Sequence, residues 1–355
     1  MINADIKTDF FDDFNYTEKD NYKWQICSSH RNEKTNIFWG KNKENNNDDI
    51  YVKQIIITPL TYNKILKEIY FLLIIKNNEY FIDLYDMRIN KYKQKIFLLF
   101  KGNNTDLLKL IRSKKDYLSD KELIKWIIFQ IDFGLYFLHS NKIIHNDIKS
   151  SNILIDENGD VVICDLGSAT YQEETSFEYS LWYSAPEFLN GNSISNEKLD
   201  MWGLGVIMLE LFLKNDKIFN VETQDINNRE QLKFILSKFG IKGNISNEEI
   251  DELIKDENNS NEIILDNTQI ENIGDANAID LIKHLLTLNP KKRYTAKQVL
   301  KSNYLEDFLN PDTCNFQKIE NPINYKQLLD DMNIDLFFKI YDSLYATFKN
   351  LNKTK

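Results

Sequence analysis

Eight residues near the middle of the chain, His145-Asn-Asp-Ile-Lys-Ser-Ser-Asn152, put a carboxylate (Asp147), an amine (Lys149) and an amide (Asn152) into one short stretch. Thirteen residues after Asn152, Asp165-Leu-Gly167 adds a second carboxylate and a glycine suited to a sharp backbone turn. Carboxylate and amide oxygens are the hard donors that magnesium takes. A lysine two residues from a carboxylate can offset negative charge that develops beside it. Such a set suits phosphoryl transfer, in which the protein positions the reactants and neutralises charge but does little covalent work. The plainer reading of Asp147 and Asp165, as ordinary turn carboxylates, does not account for the joint spacing.

These residues need elements to hold them. Tyr22–Ser28, Asn36–Trp39, Ile50–Ile57, Tyr80–Tyr85 and Lys95–Phe100 read as strands, being rich in β-branched and aromatic residues between polar breaks. Asn63–Ile75 carries Ile65, Ile69, Leu72 and Leu73 at helical spacing. Ser119 followed by Glu122 reads as a capping box opening a helix to about His139. Asn152–Ile155 and Val161–Cys164 form a short hairpin that would bring the loops of Asn152 and Asp165 together. From about Lys198 the pattern is helical, apart from a polar stretch over 215–277 and an ending that includes helices near Thr295–Tyr304 and Ile334–Phe348. The expected fold is α+β: a small N-terminal antiparallel sheet with one main helix, a larger helical lobe, and a ligand cleft between them.

With Ser184-Ala-Pro-Glu187 following in order, the motifs resemble the catalytic loop, magnesium triplet and Ala-Pro-Glu of eukaryotic protein kinases of the Ser/Thr type. Leu181–Glu187 and the stretch opening at Gln231 are similar to the CMGC group, which holds the cyclin-dependent and mitogen-activated kinases. The resemblance covers about residues 22–306. It implies a bilobal kinase fold, with a small lobe about 22–100 and a large lobe about 104–306, preceded by an arm over 1–21 and followed by a tail over 307–355.

It also implies roles. Asp147 sits beside the attacking hydroxyl, and Lys149 reaches the γ-phosphate. Asn152 and Asp165 hold magnesium. Lys53, ending Ile-Tyr-Val-Lys, binds the α- and β-phosphates of ATP and pairs with Glu68. Phe100 aligns with the gatekeeper, and Lys101, Gly102 and Asn103 with the hinge that reads adenine. Asp106 reaches the ribose or, equally, caps a helix. Asp200 braces the catalytic loop, and Arg293 pairs with Glu187. Leu72, Leu84, His145 and Leu166 match an apolar stack, which makes His145 a packing residue.

Three departures bear on function. No glycine precedes Gly40 in the segment CSSHRNEKTNIFWG, where the family has a glycine-rich loop; Ser28 and Ser29 are the small residues available to face phosphates. Asn146 replaces the Arg that pairs with a phosphate on the activation segment. The segment Asp165–Glu187 is therefore expected to be ordered without phosphate, although Thr175 lies near the usual site. Ser184 replaces the Arg that shapes the pocket for proline, so no proline preference is predicted.

The net charge of −10 argues against nucleic acid and anionic membrane surfaces as partners. The three cysteines, Cys27, Cys164 and Cys314, are scattered and fit a reducing compartment, intracellular in the cytoplasm or nucleus. The N-terminus lacks a signal-peptide layout, and no apolar run reaches membrane-spanning length. The expected partners are a protein substrate and a regulatory protein. The tail would pack on the small lobe, as tails do in the mitogen-activated kinases, or dock a partner. An active kinase is the first reading. A pseudokinase that binds nucleotide or acts allosterically is the second, because of the degenerate loop. A small-molecule phosphotransferase leaves Ala-Pro-Glu and the Glu187–Arg293 pair unexplained.

Overall fold

The computed structural model describes residues 22–26, 35–43, 49–102, 105–113, 116–175, 178–220, 226–241, 246–255, 270–309, 311–314 and 332–353. The expected N-terminal arm, Ser28, Ser29 and Asn103 lie outside them. The described chain divides into two compact units. One comprises residues up to Asn104 with Asp165–Gly167 and Ile319–Lys355; the other comprises Thr105–Cys164 and Ser168–Lys318.

The first unit is built on an antiparallel sheet of β1 (Tyr22–Ile26), β2 (Thr35–Asn42), β3 (Ile50–Ile56), β4 (Leu84–Asn90) and β5 (Lys95–Lys101), ordered β1-β2-β3-β5-β4. In β3, Ile50 and Val52 are fully buried, while Lys53 projects from the other side of the pleat. The helix α1 (Tyr62–Ile74) buries Ile65, Ile69, Leu72 and Leu73, the stripe expected from spacing. The fourth strand differs from expectation: it runs over 84–90 instead of 80–85. Its register shifts between Leu84 and Asp86, and Asp86 pairs with Arg88 at 2.6 Å. Those two charges interrupt the apolar alternation of Leu84, Met87 and Ile89 by which a strand would have been recognised.

The last helix of the chain, which is α10 in chain order (Ile334–Lys353), belongs to this unit and packs along α1. It buries Phe337, Ile340, Tyr341, Leu344 and Phe348, a helical stripe. The Phe337 ring lies 5.2 Å from that of Tyr62, and the Lys76 ammonium lies 5.1 Å over the Phe348 ring. The two helices therefore run side by side in the same direction. Lys91 adds an ion pair to Asp342 at 3.1 Å. The tail thus packs on the small unit, one of the two outcomes expected of it.

The second unit contains β6 (Thr105–Asp106), α2 (Leu107–Arg112), α3 (Lys121–Ser140), β7 (Ile143–Ile144), β8 (Ile153–Ile155), β9 (Val161–Ile163), β10 (Thr170–Tyr171), α4 (Pro186–Leu189), α5 (Glu197–Leu213), α6 (Asn228–Lys238), α7 (Asn247–Lys255), α8 (Ala276–Leu285) and α9 (Ala296–Leu300). Strands β6, β8 and β9 pair in that order, and β7 pairs with β10. The N-cap of α3 is Asp120, not Ser119: its carboxylate accepts from the amides of Glu122 and Leu123, and Ser119 instead accepts from Lys214. Helix α5 is buried on every side from Leu199 to Leu211, Trp202 and the hydrogen-bonded Asp200 and Glu210 included, which marks it as the axis of this unit. The polar stretch over 215–277 contains α6 and α7; α6 is opened by a capping box of Asn227 and Glu230. Among the described residues no helix is long and apolar enough to cross a membrane.

Candidate active site

In the first unit, β3 and α1 bring Lys53 and Glu68 together. The Lys53 ammonium donates to Glu68 Oε1 at 2.6 Å and to Asp165 Oδ1 at 2.9 Å. Burial lowers the Lys53 pKa, but Asp165 and then Glu68 outweigh it and hold the ammonium above the usual lysine value. Burial pushes the Glu68 carboxyl up, and Lys53 pulls it back. The two directions agree with the geometry: Lys53 faces two carboxylates, whereas Glu68 faces one ammonium and a second carboxylate. The sharp turn expected at Gly167 falls elsewhere, because Asp165 itself takes left-handed backbone, with φ 62°. Gly167 serves a different need: a Cβ there would meet the Lys64 side chain at 2.8 Å.

In the second unit, the loop after β7 carries the remaining residues. Asp147 Oδ2 accepts from Lys149 Nζ at 2.7 Å and from Asn152 Nδ2 at 3.1 Å. Asn152 Nδ2 also donates to the Asp147 carbonyl at 2.8 Å. The amide nitrogen of Asn152 is thus spent on Asp147, and its oxygen remains for a cation. Asp147 Oδ1 is buried with no hydrogen-bond partner among the described residues. A buried carboxylate oxygen in that state is an acceptor waiting for a donor.

The loop is fixed from beneath. Asp200 on α5 accepts from the backbone amides of His145 and Asn146, at 2.9 and 2.8 Å, and from His139 Nε2 at 2.9 Å. This is the bracing expected of it. Gly203, one turn on, lets α5 approach the loop; a Cβ there would stand 2.6 Å from the Ile148 carbonyl. His145 is fully buried, with Nε2 3.1 Å from the Cys164 carbonyl, as a packing residue should be. Arg293 grips Glu187 bidentately at 2.7 and 2.9 Å in a buried pair.

Asn146 takes left-handed backbone, φ 64°, which asparagine tolerates better than most residues. Its side-chain amide donates to Thr170 Oγ1 at 2.8 Å and to the Ser168 carbonyl at 3.1 Å. Its oxygen accepts from Ser195 Oγ at 2.8 Å, and Thr170 Oγ1 in turn donates to Ser195 Oγ at 2.9 Å. Thr170 and Ser195 are fully buried. A neutral network therefore ties the catalytic loop to the start of the activation segment. The sequence pointed only to a missing charge at this position.

Sequence reasoning also missed Ser180. Its Oγ accepts from Lys149 Nζ at 2.7 Å, so one lysine bridges Asp147 and the segment leading to Ala185. Ser180 is one of five Ser and Thr residues between Gly167 and Ser184, and nothing in their spacing singles it out. Asn146, Asp147, Ser180, Tyr183, Ala185 and Phe188 are among the residues that line a pocket beside the loop.

The residues expected to hold the adenosine sit as follows. Phe100 is buried at the end of β5, and Lys101 lies 4.3 Å over the Tyr85 ring. The Gly102 amide donates to the Asp49 carbonyl at 3.0 Å, with φ 144°. Asp106 caps α2, accepting from the Lys109 amide at 2.8 Å, which is the helix-capping alternative.

Residues 35–305 match the protein kinase domain family. The chain is 34% identical over 218 residues to a probable CTD kinase subunit alpha homolog of Encephalitozoon cuniculi, covering 59% of this chain and 63% of that one. It is 31% identical to cyclin-dependent kinase 12 of Caenorhabditis elegans, over 70% of this chain and 35% of that one. It is 28% identical to mitogen-activated protein kinase HOG1 of Colletotrichum orbiculare, over 81% and 85%. The chain thus spans less than two thirds of the length of the first two relatives. With the family match, the paired Lys53 and Glu68, and the loop of Asp147, Lys149 and Asn152 in place, this chain belongs to the protein kinase family, and its relatives are of the CMGC group.

Proposed function

We propose that the chain is a Ser/Thr protein kinase that moves the γ-phosphate of ATP to a protein hydroxyl. The observation that carries this reading is the state of Asp147: one oxygen is fixed by Lys149 and Asn152, and the other has no partner among the described residues. That free oxygen accepts the proton of the substrate hydroxyl. Lys149, already beside Asp147, offsets charge on the transferred group, and a lysine at this place in the loop favours a Ser or Thr acceptor.

The donor set fits magnesium, since Asn152 offers an amide oxygen and Asp165 a carboxylate. Bound magnesium supplies charge neutralisation to the triphosphate. Lys53, kept protonated by its carboxylates, binds the α- and β-phosphates, and Glu68 orients it. Phe100, Lys101, Gly102 and Asn103 contact the adenine and Ser28 and Ser29 the phosphates, while Asp106, both of whose oxygens are engaged by Lys109, serves as the cap of α2. The catalytic domain spans about 22–306.

The neutral network of Asn146 supports a further point of control: the activation segment keeps its place without a phosphate. Partners are a protein substrate and a regulatory protein, as the relatedness to cyclin-dependent kinases suggests, in the cytoplasm or nucleus. The packing of α10 along α1, which carries Glu68, supports a role for the chain's own tail in setting that helix.

The test is transfer of labelled phosphate from ATP and magnesium to a generic basic protein. Wild type labels the substrate. Asp147→Asn lowers the rate by about a hundred- to ten-thousand-fold, while calorimetry finds nucleotide binding retained. Equal rates for the two proteins, or no transfer by wild type with magnesium or manganese, overturn the proposal.

A further inference from the structure

Beneath the catalytic loop lies a buried cluster that the transfer chemistry does not use. Ser150, three residues after Asp147, is fully buried, and its hydroxyl donates to Glu210 Oε2 on α5. The other carboxylate oxygen, Oε1, accepts from the Tyr183 hydroxyl at 2.7 Å. Ser150 Oγ and Tyr183 Oη are themselves 3.1 Å apart. Three side chains from three segments thus close a triangle: the catalytic loop, the segment that follows Ser180, and the central helix of the unit. Glu210 is 2% exposed.

The proton count suits such a triangle. With Glu210 ionised, each carboxylate oxygen takes one hydroxyl proton, and both bonds are charge-assisted. With Glu210 protonated, three protons can run head to tail around the three edges, so no buried group is orphaned. Burial pushes the carboxyl up to about 7; the bonds from Ser150 and Tyr183 pull it down, Asp216 pushes it up and Arg112 pulls it down. Arg112 and Asp216 are paired at 2.6 Å. The connection therefore survives protonation of its central member.

We propose that Glu210 is a positioning residue, holding the catalytic loop through Ser150 and the acceptor-binding segment through Tyr183 in one register. The inference rests on the kinase reading above. Its geometry repeats, one layer deeper, the bridge that Lys149 makes from Asp147 to Ser180. Ser150 follows Lys149 directly, and Tyr183 lies three residues after Ser180, so each loop is tied twice. Loss of the deeper tie changes how the acceptor hydroxyl meets Asp147. It does not touch Lys53, whose partners Glu68 and Asp165 belong to the first unit.

Three variants test this in the full chain: Ser150→Ala and Tyr183→Phe each remove one hydroxyl, and Glu210→Gln keeps a hydrogen-bonding group without the charge. Hydrogen–deuterium exchange reads the amides of 147–152 and 178–185. Ser150→Ala is expected to speed exchange in 178–185, and Tyr183→Phe in 147–152, with Glu210→Gln close to wild type in both. In steady state, Ser150→Ala and Tyr183→Phe lower kcat/KM for the protein acceptor by roughly tenfold, with KM for ATP unchanged. Glu210→Gln, which still joins both hydroxyls, keeps kcat/KM close to wild type.

Exchange changes confined to the substituted loop overturn the proposal, as does an equal loss of ATP affinity. The exchange arm needs no catalysis. If wild type transfers no phosphate, the kinase reading fails while exchange still decides whether the loops are coupled.

Discussion

Lys53 is held by two carboxylates at 2.6 and 2.9 Å, whereas the side chain of Asn146 is held by hydroxyls and backbone carbonyls alone among the described residues. Both arrangements fix a side chain of the candidate site. The first uses full charges and the second uses none. A lysine between two carboxylates can exchange one of them for a phosphate oxygen, because one ion pair replaces another and little desolvation is added. A buried neutral network has no such exchange open to it: breaking any member strands a polar group. The charged set is therefore suited to meeting a ligand, and the neutral set to holding a loop still whether or not a ligand or a phosphate is present.

The largest effect expected from this contrast is at Lys53. Lys53→Met removes the cation proposed to bind the triphosphate and should lower transfer by about a hundred- to a thousand-fold, the cost typical of losing one preorganised electrostatic contact. Initial-rate assays check this, and a loss under tenfold would break the charged half of the comparison. Next comes Arg293→Ala, which strands Glu187 in a buried site. It should cost about 3–5 kcal/mol by denaturant unfolding; a cost under 1 kcal/mol would contradict the buried pairing.

Asn146→Ala should cost less, about 1–3 kcal/mol, because the groups it strands are uncharged. Added salt should leave that cost unchanged, since no ion pair is involved. A cost that falls steeply with salt would place charge in a network described as neutral.

The last effect is a pH slope from Asp132 in α3, at most about 1.4 kcal/mol for each unit of pH. Its carboxyl is fully buried, both oxygens lack partners among the described residues, and burial holds it well above the usual range. The folded state therefore keeps a proton that the unfolded state releases near pH 3.9. Stability is favoured by this group at low pH and declines as pH rises from there toward the folded value. The melting temperature of Asp132→Asn, minus that of wild type, should therefore rise with pH above about 4. A flat difference would mean that Asp132 is ionised in the fold.

The sequence made different parts of this molecule legible to different degrees, for identifiable reasons. Lys53 and Glu68 could be read because each sits on a regular element whose apolar stripe fixes its direction: Val52 beside Lys53, and Ile65, Ile69 and Leu72 around Glu68. Asp147, Lys149 and Asn152 could be read because they lie within six residues of one another. Ser180 and the triangle of Ser150, Tyr183 and Glu210 could not, because their partners are 27 to 60 residues away in sequence. The absent cation at 146 was visible, but its replacement depends on Thr170 and Ser195, which only the fold brings together. The cap of α3 moved by one residue because Asp120 offers a carboxylate to two amides where Ser119 offers a hydroxyl. The fourth strand was misplaced because Asp86 and Arg88 hide its period.

The most direct test of the account is the rate of phosphate transfer by the full chain after exhaustive phosphatase treatment, with intact mass confirming that no phosphate remains and Asp147→Asn as the blank. A chain whose activation segment is held by Asn146, Thr170 and Ser195 should keep its rate within about twofold, a difference of about 0.4 kcal/mol in the barrier, and stay far above the blank. A rate that collapses on dephosphorylation, or that matches the blank from the start, would contradict it.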